Sequence, residues 1–247
     1  LAALAGIRER YGFRRGRFGF LLNRPDRTSD IPETPVRHQF RILSKLGVRE
    51  LDERLELRSD PQADARVDAY FRDERFSGRP CIGMVVGASM KWPTKRWPLE
   101  YFQDLAGRLT ETLRSRIVLI GSSEDLKQVN GRNFLPAEGV LNLIGKTTLE
   151  ELVSVVKRLD VIVSGDTAPL HVASAFGVKA VALFGPTDPK RHLEPWDGAV
   201  VMTRHLACQP CYEGSCRNEE ELACLKHISV GEVYDAVLKH LEVGAVR

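Results

Sequence analysis

Three stretches of this sequence place charged or hydroxyl side chains directly after apolar runs, where the ends of buried strands would hold them. After CIGMVV (81–86) come Gly87, Ala88 and Ser89, then Lys91, then Lys95-Arg96-Trp97-Pro98. A lysine just ahead of a helix start suits phosphate, because its ammonium and the free backbone N–H groups converge on one anion. Without a ligand, a cation at that helix end is disfavoured, so a binding role explains Lys95 better than a loop role. After RIVLIG (116–121) come Ser122, Ser123, Glu124 and Asp125. Either serine suits the N-cap of a following helix, and an acid here can accept hydrogen bonds from ribose hydroxyls. After DVIVSG (160–165) come Asp166-Thr167-Ala168-Pro169-Leu170-His171. Gly165 permits a sharp turn and Pro169 suits a first helical turn. The free N–H groups there, with the Thr167 hydroxyl, would face a diphosphate. Taken singly, Asp166 reads as a cap and His171 as a core residue; the combined pattern favours a ligand.

These residues need elements to hold them. Apolar runs at 81–86, 116–121, 140–145, 160–165 and 179–185 alternate with helix-period segments. Leu99, Phe102, Leu105, Ala106, Leu109 and Leu113 share one helical face, and Thr148 with Glu151 forms a capping-box pair. Ser229 with Glu232 repeats that signature ahead of Val233, Val237 and Leu241. Strands alternating with helices give an α/β fold with a parallel sheet covered on both faces. Neither GxGxxG nor GxxxxGK[ST] occurs, which counts against a dehydrogenase and a P-loop NTPase. Ligands in such sheets bind at the carboxyl ends of the strands. Upstream, Gly6, Gly12, Gly16 and Gly19 break up the first twenty residues, a polar loop follows at 23–36, and a short helix is expected between Arg37 and Leu46. Residues 58–80 read as a helix and a linker ending at Gly78-Arg79-Pro80, which divides the chain into 1–78 and 79–247.

The chain has 247 residues, 43% hydrophobic and 28% charged, enough to fold without a disulfide or metal staple. Its composition excludes a disordered or collagen-like chain, and no apolar run reaches the ~18 residues of a membrane span. The net charge of +3 hides an asymmetry. Residues 1–49 hold eleven Lys and Arg against four acids, a surplus of seven, so the rest of the chain carries a net −4. Such a segment suits a polyanionic partner: an anionic lipid surface or a phosphorylated substrate, with nucleic acid disfavoured for want of a stacking motif. Cys81 lies in an apolar run and reads as a buried small hydrophobe. Cys208, Cys211, Cys216 and Cys224 cluster in sequence, which suggests a structural zinc or a redox site, although the spacing is not that of a zinc ribbon.

The segment GDTAPLHVASAFGVKAVALFGPTDP (165–189) resembles the signature of glycosyltransferase family 9, the ADP-heptose–lipopolysaccharide heptosyltransferases. Gly87-Ala88-Ser89 leading to Lys95-Arg96-Trp97-Pro98, and Ile120-Gly121-Ser122, are similar to the family's other nucleotide-site segments. Residues 5–23 resemble its N-terminal domain, more the heptosyltransferase II branch than the I branch, and the cysteine region recurs in many members. The resemblance implies a GT-B fold: two Rossmann-like domains, with the nucleotide sugar held mainly by the C-terminal one. It assigns Lys95 to the diphosphate, Asp166, Thr167, Ala168 and His171 to the loop and helix around nucleotide and sugar, and Glu124 or Asp125 to the ribose, with Ser122 alongside. Many members carry glycine at position 168.

The implied reaction is inverting transfer of heptose from ADP-heptose to the phosphorylated inner core of lipopolysaccharide. Charge developing on the diphosphate would be met by Lys95, Thr167 and the helix start, with no cofactor required. The enzyme would be cytoplasmic and peripheral at the inner face of the cytoplasmic membrane, where the basic segment would meet anionic lipid. In the family the general base is a carboxylate near the start of the N-terminal domain. The first residue here is Leu1, inside what reads as a helix, so that segment is expected upstream and no catalytic base is assigned among these residues. An ADP-sugar-binding fragment without catalysis is the alternative reading.

Overall fold

The arginine- and glycine-rich opening builds only short elements. Tyr11–Phe13 (β1) pairs in parallel with Arg24–Asp26 (β2), and a 3-10 turn at Gly19–Leu21 lies between them. Helix α1 (Pro35–Ser44) begins at Thr34, whose hydroxyl accepts the N–H of Arg37, with Pro35 in the first turn where a missing N–H costs nothing. Arg41 ties this helix to β2 by donating to Asp26 at 2.7 Å, and it also meets Glu33 at 3.2 Å. These elements belong to a compact unit of residues 1–54 and 190–195. In the returning segment the buried Glu194 accepts the N–H of Val36 at 3.0 Å, an anion at a helix N-terminus. The computed structural model describes residues 1–14, 17–26, 33–72, 77–130 and 139–242. Arg15, Gly16, part of the loop expected at 23–36 and part of the linker expected before Pro80 lie outside the described residues.

Residues 55–189 and 196–247 form the second unit. It contains α2 (Pro61–Phe71), β3 (Cys81–Val85), α3 (Leu99–Leu113), β4 (Arg116–Ile120), α4 (Ser123–Asn130) and β5 (Val140–Asn142). Then follow α5 (Leu149–Val156), β6 (Val161–Gly165), α6 (Ala168–Phe176), β7 (Lys179–Phe184), β8 (Ala199–Thr203), α8 (Ala223–Lys226) and α9 (Val230–Glu242), while α7 (Pro189–His192) falls, but for Pro189, in the segment 190–195 of the first unit. The strands form one parallel sheet in the order β5-β4-β3-β6-β7-β8. β3, β4 and β6 are buried along their whole length, as continuous apolar strands of a sheet covered on both faces must be. Phe102, Leu105 and Leu109 of α3 and Val233 and Val237 of α9 fill the core above it. Both expected capping boxes form, at Thr148–Glu151 and at Ser229–Glu232.

The strands run one to three residues shorter than the apolar runs, because the run ends turn into the loops. A sixth strand, β8, lies at the sheet edge: its apolar AVVM is followed by Thr203, and its residues are only partly buried or exposed. The domain boundary also moves. Arg158 pairs with Asp64 and Asp68, and Lys157 donates to Asp64 at 3.1 Å, which binds α2 to the end of α5. Residues 55–78 therefore belong with the sheet, and the division falls after Arg54 rather than after Gly78.

Candidate functional site

The sheet reverses direction of growth at β3. From there the chain moves outward through β4 and β5, then returns to place β6 on the other side. Parallel sheets open a crevice at such a switch point, outside the carboxyl ends of the strands. A cavity of about 520 Å³ occupies it, within the usual range for small-ligand sites. Its walls are the turns after β3 (Gly87–Met90, Trp92, Lys95), β4 (Gly121, Ser122, Glu124, Asp125), β5 (Thr147–Leu149) and β6 (Asp166–Pro169).

Lys95 ends a 3-10 turn, Pro93–Lys95, whose buried Thr94 donates to the carbonyl of Glu213 at 2.6 Å. Just after it, Trp97 is sunk in the core, edge-on to Phe102 and donating to the carbonyl of Ile228 at 3.0 Å. The backbone here lies so close to β6 that a Cβ on Gly165 would stand 2.9 Å from the Lys95 carbonyl, which is why glycine ends that strand. The Lys95 ammonium does not sit at the start of α3. It crosses to Asp166, donating at 2.7 Å, with the Trp92 ring centroid 5.1 Å away. Asp166 is not a helix cap: its carboxylate is buried and also accepts from Thr187 at 2.8 Å. Thr167 is the N-cap residue of α6 by its backbone, and no side chain caps this end. Its hydroxyl lies 3.1 Å from the Ser164 hydroxyl. The start of α6 and Lys95 thus converge on one wall of the cavity, an arrangement that attracts an anion.

The two adjacent acids on the opposite wall have different fates. Asp125 is buried and spent on the protein: Ser122 donates to it through N–H (2.8 Å) and hydroxyl (2.7 Å), and Arg96 donates at 2.9 Å. Glu124 is exposed on the cavity wall. Its carboxyl is held below the ordinary value of 4.5, first by its own backbone N–H and then by the hydroxyls of Ser122 and Ser123, so it is ionised at neutral pH. Ser122 caps α4, its carbonyl accepting from Leu126 at 3.3 Å. Met90, Leu149 and Leu152 add an apolar lip, with Met90 62% and Leu149 66% exposed.

Of the residues singled out in the sequence, Lys95, Ser122, Glu124, Asp125, Asp166, Thr167 and Ala168 meet in this cavity, and His171, one turn into α6, does not line it. The sequence reading missed Met90, Trp92, Thr147, Leu149 and Leu152 as walls, and Thr187 as the second partner of Asp166. The turn Gly145-Lys146-Thr147-Thr148 is also a strand end rich in hydroxyls, which was the available signal. The cysteine cluster fares differently. Among the described residues no three His, Cys, Asp or Glu side chains are grouped to hold a metal. Cys208 and Cys211 are exposed, whereas Cys224 is buried and its thiol pushed up to about 11, chiefly by burial. The structure thus gives no support for a structural zinc at Cys208, Cys211, Cys216 and Cys224. Cys81, with burial raising it to about 12, is the inert core thiol its context suggested.

A parallel α/β sheet with a cavity at its switch point defines the Rossmann-like class of protein. The chain belongs to glycosyltransferase family 9 (heptosyltransferase), whose family model matches residues 1–221. It is 28% identical over 174 residues to lipooligosaccharide heptosyltransferase 2 of Campylobacter jejuni subsp. jejuni serotype O:6, an alignment covering 66% of this chain and 52% of the relative. Among solved structures, E. coli ADP-heptose lps heptosyltransferase II is similar at TM-score 0.77 and 25% identity, covering 99% of this chain and 73% of that one. E. coli heptosyltransferase WaaC with ADP shares the fold at TM-score 0.63 and 18% identity, covering 93% of this chain and 65% of that one. These neighbours are GT-B heptosyltransferases. The chain spans about half the length of the curated relatives named first among its matches.

Proposed function

We propose that this protein transfers heptose from ADP-heptose to the phosphorylated inner core of lipopolysaccharide, with inversion at the anomeric carbon. The observation that carries the reading is the three-part chemistry of one cavity: Lys95 beside the uncapped start of α6, the ionised Glu124, and the apolar lip of Met90, Leu149 and Leu152. These suit, in turn, a diphosphate, a ribose and a purine. The ADP named with the E. coli WaaC structure agrees with that ligand class.

In the reaction an acceptor hydroxyl gives its proton to a general base, which the family resemblance places near the start of the N-terminal domain. Its oxygen forms a bond to the anomeric carbon while the bond from that carbon to the diphosphate breaks, and ADP departs with the electron pair. Negative charge grows on the diphosphate oxygen. Lys95 and the start of α6, where the Ala168 N–H precedes Pro169, share one wall of the cavity, which supports their meeting that charge as it develops. Asp166 and Thr187 hold the ammonium in place before the ligand arrives. Contact of the basic N-terminal segment with anionic lipid belongs to the same proposal, because a lipid-anchored, phosphorylated acceptor presents both kinds of anion.

The test is calorimetric binding of ADP, AMP, UDP and GDP to the purified chain. ADP is expected to bind more tightly than UDP or GDP, and strong preference for either of those would overturn the ADP assignment. Lys95→Ala should weaken ADP by about ten- to a hundredfold, the worth of a charge-assisted hydrogen bond, and AMP much less. Equal losses on both nucleotides would remove Lys95 from the diphosphate.

A further inference from the structure

We propose that Arg96 and Asp125 act as a positioning pair that sets the rotation of α4 and so holds Glu124 against the ribose of the bound nucleotide; the inference rests on the nucleotide reading above. Neither residue has been given a binding role by its own geometry. Asp125 borders the cavity but is only 5% exposed, and its carboxylate is engaged at the junction between two strand-end loops. One carboxylate oxygen accepts from Arg96 Nη2 at 2.9 Å; the other accepts from the backbone N–H and the hydroxyl of Ser122. The same Arg96 nitrogen donates to the carbonyl of Ala88 at 2.6 Å, so one guanidinium joins the loop after β3 to the turn after β4. The loops are in close contact here. A Cβ on Gly87 would fall 2.0 Å from Asp125 Oδ2, so the carboxylate packs in the space that glycine leaves open. Arg96 Nε is buried without a hydrogen-bond partner, so the site retains a polar cost that a purely stabilising pair would be expected to shed.

Helix geometry turns this junction into a positioning device. Successive residues on a helix point about 100° apart, because 3.6 residues make a turn. With Asp125 anchored inward in the first turn of α4, Glu124 must point outward, and the outward direction is the cavity. Loosening Asp125 would let that first turn rotate or fray, and Glu124 would lose its fixed station without being touched. Lys95 stands outside the network, bound to Asp166 and packed near Trp92. The pair therefore governs the ribose contact and not the diphosphate contact.

The experiment compares ADP with 2′,3′-dideoxy-ADP on the intact chain by calorimetry, with thermal unfolding as a check on folding. Wild type is expected to favour ADP by about tenfold, a net hydrogen bond or two to a charged acceptor. Asp125→Asn keeps the shape but removes the charge, and it should cut that preference to about twofold while dideoxy-ADP binds as before. Combined with Glu124→Ala it should cause no further loss, since both changes remove the same contact. Arg96→Gln should reproduce the lost preference, and it carries the test if Asp125→Asn does not fold. An equal loss on both nucleotides, or additive losses in the double variant, would reduce the pair to ordinary structural support and overturn the proposal. A wild-type chain that binds neither nucleotide overturns the nucleotide reading itself, whereas ADP selectivity that survives in both variants overturns the pair alone.

Discussion

Lys95 and Asp166 illustrate how a candidate ligand site can be built from residues that neutralise one another. Both are largely buried, 14% and 6% exposed at the side chain, so their pairing is poorly screened by solvent. Removing one partner of such a pair strands the other charge, at a cost of about 3 kcal/mol. Asp166→Asn should therefore destabilise the free protein, and a ligand that brings its own negative charge should recover part of the loss. The expected outcome is a larger rise in unfolding temperature on saturation with ADP for Asp166→Asn than for wild type. An equal or smaller rise would mean that Lys95 does not meet the diphosphate. The types and chain positions of these residues were readable from the strand-end pattern, because charged groups directly after buried runs have few places to go. Their partners were not. Asp166 looked like a cap by its place before a helix, and its engagement with Lys95 depends on the close approach of two backbones at Gly165. Which of Glu124 and Asp125 faces the ligand depends on the rotation of one helical turn, which no spacing rule encodes.

Among the elements, α2 shows the limit of local reading most clearly. Its acids, Asp60, Asp64 and Asp68, lie in the stretch that reads as a helix and a linker, and the helix itself was legible. Its docking was not, since the partners Lys157 and Arg158 lie about ninety residues away. Arg158 first, with the hydroxyls of Ser59 and Ser154 next, holds the Asp64 carboxyl well below its ordinary value of 3.8. A carboxylate depressed in the folded state stabilises it fully above the unfolded value, and that contribution fades as pH falls toward the folded value. Asp64→Asn should then cost about 1–2 kcal/mol at pH 7, with faster amide exchange in α2. The gap between variant and wild type in urea unfolding should narrow steadily below the ordinary carboxylate value. A gap that stays constant into acid would show that the ion pair contributes nothing to docking α2.

At the scale of the whole molecule the charge asymmetry remains the strongest feature that the strand-end cavity does not absorb. No helix among the described residues is long and apolar enough to cross a membrane. In the opening unit several cations are already spent: Arg24 meets Glu9, Arg41 meets Asp26 and Glu33, and Arg37 meets Glu53. Arg14 and Arg17 are exposed, and Phe18 and Phe20 beside them are 67% and 68% exposed. Arginine next to exposed phenylalanine suits a headgroup layer, where the cation meets lipid phosphate and the ring enters the acyl boundary. Each cation near an anionic leaflet contributes about 1 kcal/mol, so three together are worth about a hundredfold in partitioning. Replacing Arg14, Arg15 and Arg17 together with glutamine should lower binding to vesicles rich in anionic lipid by about that factor at low salt, with little effect on neutral vesicles. The wild-type difference between the two vesicle types should shrink at 0.5 M salt, where the Debye length falls to about 4 Å. Phe18→Ser with Phe20→Ser should remove instead the part of binding that survives salt. Unchanged sedimentation of the arginine variant with anionic vesicles would make the surplus ordinary surface charge, and would leave recognition of the acceptor's own phosphates as the remaining use for it.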